Sequence, residues 1–292
     1  MGQQAINGIF LGSIYALFAV GYTLVFGVLD IINLAHQAVF MLGAFFALVL
    51  VGTLHVSIAV ALPIAVLFSG ALGILLDRIA FRPLRGRADS NLAGLITSIA
   101  VATLFEAIAL QLFGPDTSRF PFGTFPERRL QVGAAVVSTL QLGIVAISVV
   151  LMVILTYLLR RTRLGRQIRA VAESPRAARI LGIDVDRVIA ASFFISSALG
   201  GAAGVLFALA FNSLSPDVGR SVELKGLAVI ILGGMGSVPG AVLAGFAIGL
   251  IEVFTVAYLG SSYRDAVSFA VLFSVLLIRP RGLLGRAALR EA

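Results

Sequence analysis

The stretch NGIFLGSIYALFAVGYTLVFGVLDIINLAH, residues 7–36, decides the fold class. It holds no charged side chain before Asp30. This uncharged run is long enough for a helix to cross the roughly 30 Å hydrocarbon core of a bilayer. The rest of the chain is similar: 59% of the 292 residues are hydrophobic and 12% are charged, whereas soluble domains carry roughly 25% charge. The sequence therefore predicts an integral membrane protein.

Eight apolar stretches are long enough to form membrane helices. They cover about 8–28, 35–55, 56–78, 92–114, 139–159, 188–210, 239–258 and 265–279. A ninth, about 224–237, is short and runs into the helix-breaking GGMGSVPG at 233–240, which predicts a half-helix or re-entrant segment. We expect an all-α, polytopic helical membrane protein with 8–9 membrane segments, forming a single transmembrane domain over residues 1–292.

The basic residues predict the orientation of the chain. Of the 22 Lys and Arg, 16 lie in segments 77–91 and 160–187 and in the tail from Arg279. Because cytoplasmic loops are enriched in Lys and Arg, we predict a cytoplasmic C-terminus and, with nine crossings, an N-terminus outside. Residues 1–7 hold no Lys or Arg, so the first apolar run is expected to be a retained helix and not a cleaved signal peptide.

The cytoplasmic segment at about 160–187 carries ordered helix signals. Apolar residues recur at helical spacing beside Arg side chains over 163–171, which predicts an amphipathic surface helix. Ser174 is placed to cap a second helix, which Pro175 would open and Gly182 would end. The residues leave two interpretations open, a basic helix lying on anionic lipid or a docking site for a cytoplasmic partner.

The apolar sequence is interrupted between the first two runs by the polar residues Asp30, Asn33 and His36. Such groups are costly at membrane depth unless they find partners. Asn33 and His36 are one helical turn apart and could project together toward a pathway or a partner helix. The alternative is that Asp30 and Asn33 only cap the next helix.

Glu106 and Glu252 stand inside apolar runs, where a carboxylate either serves a function or pairs with Arg or backbone in a helix interface; we favour pairing. Lys225 is the only Lys, so the chain has no GxxxxGK[ST] phosphate loop, and any ATP must be hydrolysed by another chain. With two His and no Cys we predict no metal site, no catalytic residues and no enzyme. The scattered basic residues also argue against nucleic acid as a partner.

Three pieces carry a family resemblance: residues 7–36, RLGRQIRAVAESPRAARILGIDVDRV at 163–188, and GLAVIILGGMGSVPGAVLAGFAIGLIEVF at 226–254. In this order, over nearly the whole chain, they resemble the LivH-type permease subunit of branched-chain amino acid ABC importers. The resemblance implies a type II ABC importer-like fold and a permease for branched-chain, hydrophobic amino acids. Urea and short amides are alternative substrates within the same wider family.

The resemblance also implies partners: a second permease subunit, LivM-like or identical, two ABC ATPase subunits that bind ATP and Mg, and a periplasmic substrate-binding protein. This chain would bind no cofactor and would contact membrane lipid in the bacterial inner membrane. Its coupling helix would comprise Glu173, Ser174, Pro175, Ala177, Ala178, Leu181, Gly182 and Ile183. The pathway would run near the two helix breaks, at Asp30, Asn33, His36, Gly233, Gly234, Gly236 and Ser237.

Two rival functions need other features. An ion-coupled secondary transporter would need an internal ion site, for which Glu106, Glu252 and Asp30 are the candidates. An intramembrane enzyme would need a nucleophile and a base on facing helices, and the sequence suggests no such pair.

Overall fold

The computed structural model describes residues 1–85, 90–125, 127–132 and 135–285, which are mostly helical. The predicted topology signals of Arg87, Arg286 and Arg290 lie outside the described residues. The helices are α1 (Gly2–Leu29), α2 (His36–Gly52), α3 (Ile58–Leu76), α4 (Ser90–Phe113), α5 (Thr139–Arg161), α6 (Arg163–Glu173), α7 (Pro175–Ile180), α8 (Val185–Phe211), α9 (Val218–Gly233), α10 (Val238–Tyr258) and α11 (Arg264–Ile278). A π-helical turn (Asp77–Phe81) and a 3-10 turn (Arg82–Leu84) follow α3, and another 3-10 turn (Ser261–Tyr263) precedes α11.

Seven of the described helices are long and apolar enough to cross a membrane, namely α1, α3 with its following turns, α4, α5, α8, α10 and the segment of α11. Helix α2 is apolar but shorter. Helix α9 has 16 residues and holds three charged side chains, and it begins at Val218, six positions before the predicted start at 224. The predicted all-α, polytopic fold is confirmed, with the break after Gly233 where the sequence placed it.

Helix α1 lies at the centre of the bundle, with Ile14, Leu17 and Phe18 almost fully buried. It packs antiparallel to α10: Gly8 lies against Leu250, and further along Ala16 lies against Gly245. Small side chains at these positions let two helices approach closely. The small residues of α10 therefore pack this helix directly against α1.

The two ends of α1 mark the two ends of the bundle. At its start, Gln3 exchanges two hydrogen bonds with the backbone of Val136, at 3.0 and 2.8 Å. Val136 belongs to a short antiparallel hairpin of β1 (Arg129–Val132) and β2 (Ala135–Ser138), which the sequence did not predict. At the other end, Gly27 lies close to Gly236 in the break between α9 and α10.

Candidate translocation and coupling sites

The first break, between α1 and α2, is held by side-chain hydrogen bonds. The N–H of Ala35 donates to Asn33 Oδ1 at 3.2 Å, and the N–H of Leu34 donates to Ser98 Oγ on α4 at 3.1 Å. These bonds satisfy backbone groups that a non-helical segment in an apolar bundle cannot leave unpaired. Asn33 therefore supports the turn before α2, and Asp30 ends α1 in the left-handed conformation (φ 54°). Neither residue caps α2, whose N-cap is Ala35 without a side-chain hydrogen bond.

His36 begins α2 and lies in an aromatic niche. Its ring is fully buried, with centroids 4.8 Å from Phe18 and 5.4 Å from Tyr22. A Cβ at Gly200 on α8 would lie 2.7 Å from the ring. Within the described residues neither ring nitrogen makes a hydrogen bond, although the Phe18 carbonyl faces the ring at a poorer geometry. Asn33 lies in the turn before α2 and His36 is the first residue of the helix.

Other buried polar atoms of α1, α2 and α9 have no hydrogen bond, counting only partners in the described part of the chain. They are Tyr22 Oη, Thr23 Oγ1, Gln37 Oε1 and Glu223 Oε1. Tyr22 lies beside His36, with ring centroids 5.4 Å apart, and Gln37 lies against Gly219 of α9, one helical turn before Glu223. Because buried polar groups are rarely left unpaired, these atoms define a polar layer where α1, α2 and α9 meet.

The second break, between α9 and α10, is a glycine elbow. Gly234 and Gly236 have φ values of 98° and 80°, a region that favours glycine. Ser237 caps α10, its Oγ accepting the N–H of Gly240 at 3.2 Å. Of the predicted pathway residues, His36 lies against α1 and α8 at the first break, whereas Gly236 of the second break lies beside Gly27 near the end of α1.

The C-terminal end of α9 is hydrogen-bonded to the segment that follows α11. The N–H of Leu283 donates to the carbonyl of Leu232 at 2.8 Å, and the N–H of Leu284 donates to that of Gly233 at 3.0 Å. The last carbonyls of a helix have no partner within the helix. The segment after α11 therefore caps α9.

The predicted coupling segment forms two helices joined at Ser174. Ser174 Oγ accepts the N–H of Ala177 at 3.2 Å, Pro175 opens α7, and Gly182 lies just after it with φ 79°. Helix α6 buries one apolar face, including Val171. The predicted amphipathic helix, cap, opening and end are all confirmed.

The eight predicted coupling residues differ in exposure. Leu181 is 76% exposed and Ala178 is 1% exposed. Glu173, Pro175, Ala177 and Gly182 are exposed, and Ser174 and Ile183 are half-buried. The sequence prediction omitted Ile180, which is 81% exposed. Its position next to Leu181, on a basic helix and directly before a glycine, could have indicated this exposed apolar side chain.

An ion-pair network joins the coupling segment to α3. Arg85 donates to Asp77, whose side chain is 2% exposed, and to Asp186 in the first turn of α8 at 2.7 Å. Asp186 lies near the end of the predicted coupling segment, in the first turn of α8. The pair with Asp186 was not predictable from the sequence, because Arg85 and Asp186 lie about a hundred positions apart.

The two intramembrane carboxylates are paired, as predicted. Glu106 accepts from Arg220 at 2.6 Å. Glu252 is 1% exposed and accepts from both Lys225 and Arg264 through Oε1. Since an unpaired buried charge is expensive, each pair stabilises its helix interface.

The helices are long enough to cross a membrane, and the bundle has two hydrogen-bonded breaks, an internal polar layer and an exposed pair of short helices at one end. These features define a multi-pass permease domain. Residues 4–276 match the family "Branched-chain amino acid transport system / permease component", and the chain belongs to this family.

Relatives and a solved structure agree with this assignment. The chain is 35% identical to the "High-affinity branched-chain amino acid transport system permease protein LivH" of Escherichia coli K12, over 97% of this chain and 95% of that protein. It is 34% identical, with the same shares covered, to the BraD protein of the same description from Pseudomonas aeruginosa. PsaBC from Streptococcus pneumoniae, solved in complex with Fab, has a similar fold, with a TM-score of 0.50, 14% identity, and 94% and 91% of the two chains covered.

Proposed function

We propose that this chain is the membrane-spanning permease subunit of an ABC importer that carries branched-chain amino acids across the bacterial inner membrane. The observation that carries the proposal is the match over 97% of the chain to relatives whose names state branched-chain amino acid transport. The apolar helices around the polar layer suit an aliphatic solute. The chain has no phosphate loop of its own, so the ATP is hydrolysed by partner subunits.

The working assembly contains a second permease subunit, two ATPase subunits that bind ATP and Mg, and a periplasmic substrate-binding protein. Helix α7 is the coupling helix, and its exposed Ile180 and Leu181 enter a groove of the ATPase. When ATP closes the ATPase pair, the coupling segment moves with it. Arg85 carries that motion to α3, because it binds both Asp77 and Asp186.

The pathway passes the polar layer at the junction of α1, α2 and α9. Its unpaired side-chain atoms give a solute polar partners inside the bundle, and unwound backbone at the first break is tolerated where it lines such a route. The elbow at residues 233–237 works as a joint between α9 and α10, since its glycines adopt conformations that other residues resist.

Reconstitution of this chain with the proteins encoded by its neighbouring genes tests the proposed function. The tagged chain should copurify with an ATPase and, in proteoliposomes that contain the binding protein, should import leucine only when ATP is present. Excess isoleucine or valine should compete with leucine, and urea or acetamide should not. Uptake without ATP would instead support an ion-coupled transporter, and competition by urea alone would support the amide alternative.

Cysteine labelling tests the orientation, because the chain has no Cys. We expect an exposed Ser262→Cys variant to react with a membrane-impermeant maleimide from outside intact spheroplasts, since Ser262 lies at the same end as the N-terminus. An exposed Ala172→Cys variant in α6 should react only after lysis. The reverse pattern would place the C-terminus outside.

Asp186→Asn tests the role of Arg85 as a link. The change removes the charge that holds Arg85 to α8 but leaves the pair with Asp77 intact. We expect the amount of leucine imported per ATP hydrolysed to fall on the order of tenfold, as for the loss of one charged hydrogen bond. Arg82→Gln is the matched control, because its 3.5 Å pair with the same Asp186 is exposed and contributes little. Equal losses in both variants would contradict the link.

A further inference from the structure

A groove of about 440 Å³ lies on the outside of the bundle, between α5 and α10. Both helices pack against α1, so the groove follows the seam between them. Helix α10 contributes Val242 and Phe246 to the wall. Helix α5 contributes the rest at helical spacing, namely Val149, Met152, Val153, Thr156, Tyr157, Arg160 and Arg161. The groove therefore runs along one face of α5 toward the coupling segment.

The α5 wall changes from apolar to basic along its length. Val149 and Val153 lie at the apolar end, and Val153 is 60% exposed. Tyr157, one helical turn further on, is 65% exposed, and tyrosine is enriched where a membrane meets water. Arg160 and Arg161 follow at the end of the helix and are exposed. An anionic phospholipid has the same order of acyl chain, interface and charged phosphate.

The length of the groove fits one leaflet of a bilayer. Val149 and Arg160 are separated along α5 by a distance of about 16 Å, since an α-helix rises roughly 1.5 Å per residue. Half of the hydrocarbon core is about 15 Å thick. A lipid whose phosphate lies at the two Arg side chains would therefore place its acyl chain along the apolar part of the wall.

Acidic side chains do not balance the positive end of the groove. No Asp or Glu lies on its wall, and neither Arg160 nor Arg161 forms an ion pair with any residue that the structure describes. Segment 160–187 holds eight Arg against three acidic residues, which leaves it a net charge of +5. The two Arg side chains are therefore available to an anion.

We propose that this groove binds one anionic phospholipid, with its phosphate on Arg160 and Arg161 and an acyl chain between α5 and α10. Guanidinium groups match phosphate in a bidentate geometry, and basic residues near an anionic membrane surface add affinity. The proposal assigns one lipid to one groove, which is more specific than the general attraction of a basic segment to a membrane. It does not depend on which solute the permease carries.

Lipid titration of the delipidated permease–ATPase complex, followed by native mass spectrometry, tests the site. We expect phosphatidylglycerol to bind at one site more tightly than phosphatidylcholine, which has no net charge, and inorganic phosphate not to displace it. Changing Arg160 and Arg161 together to Gln should weaken phosphatidylglycerol binding about thirtyfold, as for two basic residues at an anionic surface. Changing Arg163 and Arg166 to Gln removes the same charge from α6, away from the groove wall, and should retain the site.

Two Trp variants test the apolar part of the groove and keep every Arg. Val153 lies on the wall, whereas the next residue, Ile154, does not. They are similarly exposed, at 60% and 54%. Val153→Trp should fill the groove and remove the tight site, and Ile154→Trp should retain it. This pair decides the question even if the double Arg variant fails to assemble.

The proposal is overturned if phosphatidylcholine binds wild type as tightly as phosphatidylglycerol, if the double Arg variant keeps wild-type affinity, or if the two Trp variants bind alike. Displacement by inorganic phosphate would also overturn it, since the ligand would then be a free anion. A benzophenone probe on Val153→Cys, the only cysteine in this chain, should cross-link to lipid. A cross-link to the second permease subunit would show that protein fills the groove and would overturn the lipid site.

Discussion

Changing Leu181 to Asp is expected to release the ATPase subunits and to abolish ATP-driven uptake, while the permease remains folded. Leu181 and Ile180 project from the end of α7 with 76% and 81% exposure, so a polar substitution costs the isolated chain little stability. In the assembly the same position is an apolar anchor, whose loss typically costs ~2–4 kcal/mol of binding. That corresponds to a fall in ATPase affinity on the order of a hundredfold. Copurification measures the loss of the ATPase subunits, and leucine uptake measures the loss of transport.

The matched control is Leu130→Asp, an exposed leucine on the hairpin at the opposite end of the bundle. It should retain the ATPase and the transport rate. Ala178→Asp is a poorer test of coupling, because Ala178 is 1% exposed and a buried charge would unfold the segment that presents α7. Retention of the ATPase by Leu181→Asp, with wild-type uptake, would mean that α6 and α7 lie on lipid instead.

Changing Glu252 to Leu is expected to be strongly destabilising. It leaves Lys225 and Arg264 without the carboxylate that both of them contact, and removing one partner of a buried ion pair costs about 3–5 kcal/mol. Thermal unfolding in detergent should show a large fall in the midpoint temperature. A second change, Lys225→Met, should recover part of the loss, because it removes one of the two cations that lose Glu252.

Glu106→Leu is the comparison variant, because its partner Arg220 is 63% exposed and exposed pairs contribute ~0–1 kcal/mol. We expect a small change in the midpoint temperature. Equal effects at Glu106 and Glu252 would contradict the view that burial decides the cost.

Periodicity and composition were enough to predict most of the fold. Runs of apolar residues give membrane helices directly, because the bilayer requires roughly 20 such residues per crossing. The caps at Ser174 and Gly182 were also predictable, since capping depends on residues only a few positions apart. The start of α9 was missed because its first turns hold Arg220, Glu223 and Lys225, which do not register as an apolar run.

The site was less predictable, because its contacts join distant parts of the chain. Both Glu106 and Glu252 were expected to pair, but nothing in the sequence could select Arg220 for one and Lys225 with Arg264 for the other. The polar layer depends on α2 turning His36 toward α1. Only the three-dimensional arrangement shows such groupings.

The cap on α9 has a consequence for biogenesis. The carbonyls of Leu232 and Gly233 receive their hydrogen bonds from residues 283 and 284, which the ribosome adds only after α10 and α11 have been synthesised. The elbow therefore cannot form all its hydrogen bonds while α9 and α10 are being synthesised. Membrane insertion of α10 and α11 precedes the formation of the last two bonds. A nascent chain arrested before residue 283 would leave the carbonyls of Leu232 and Gly233 without these two partners.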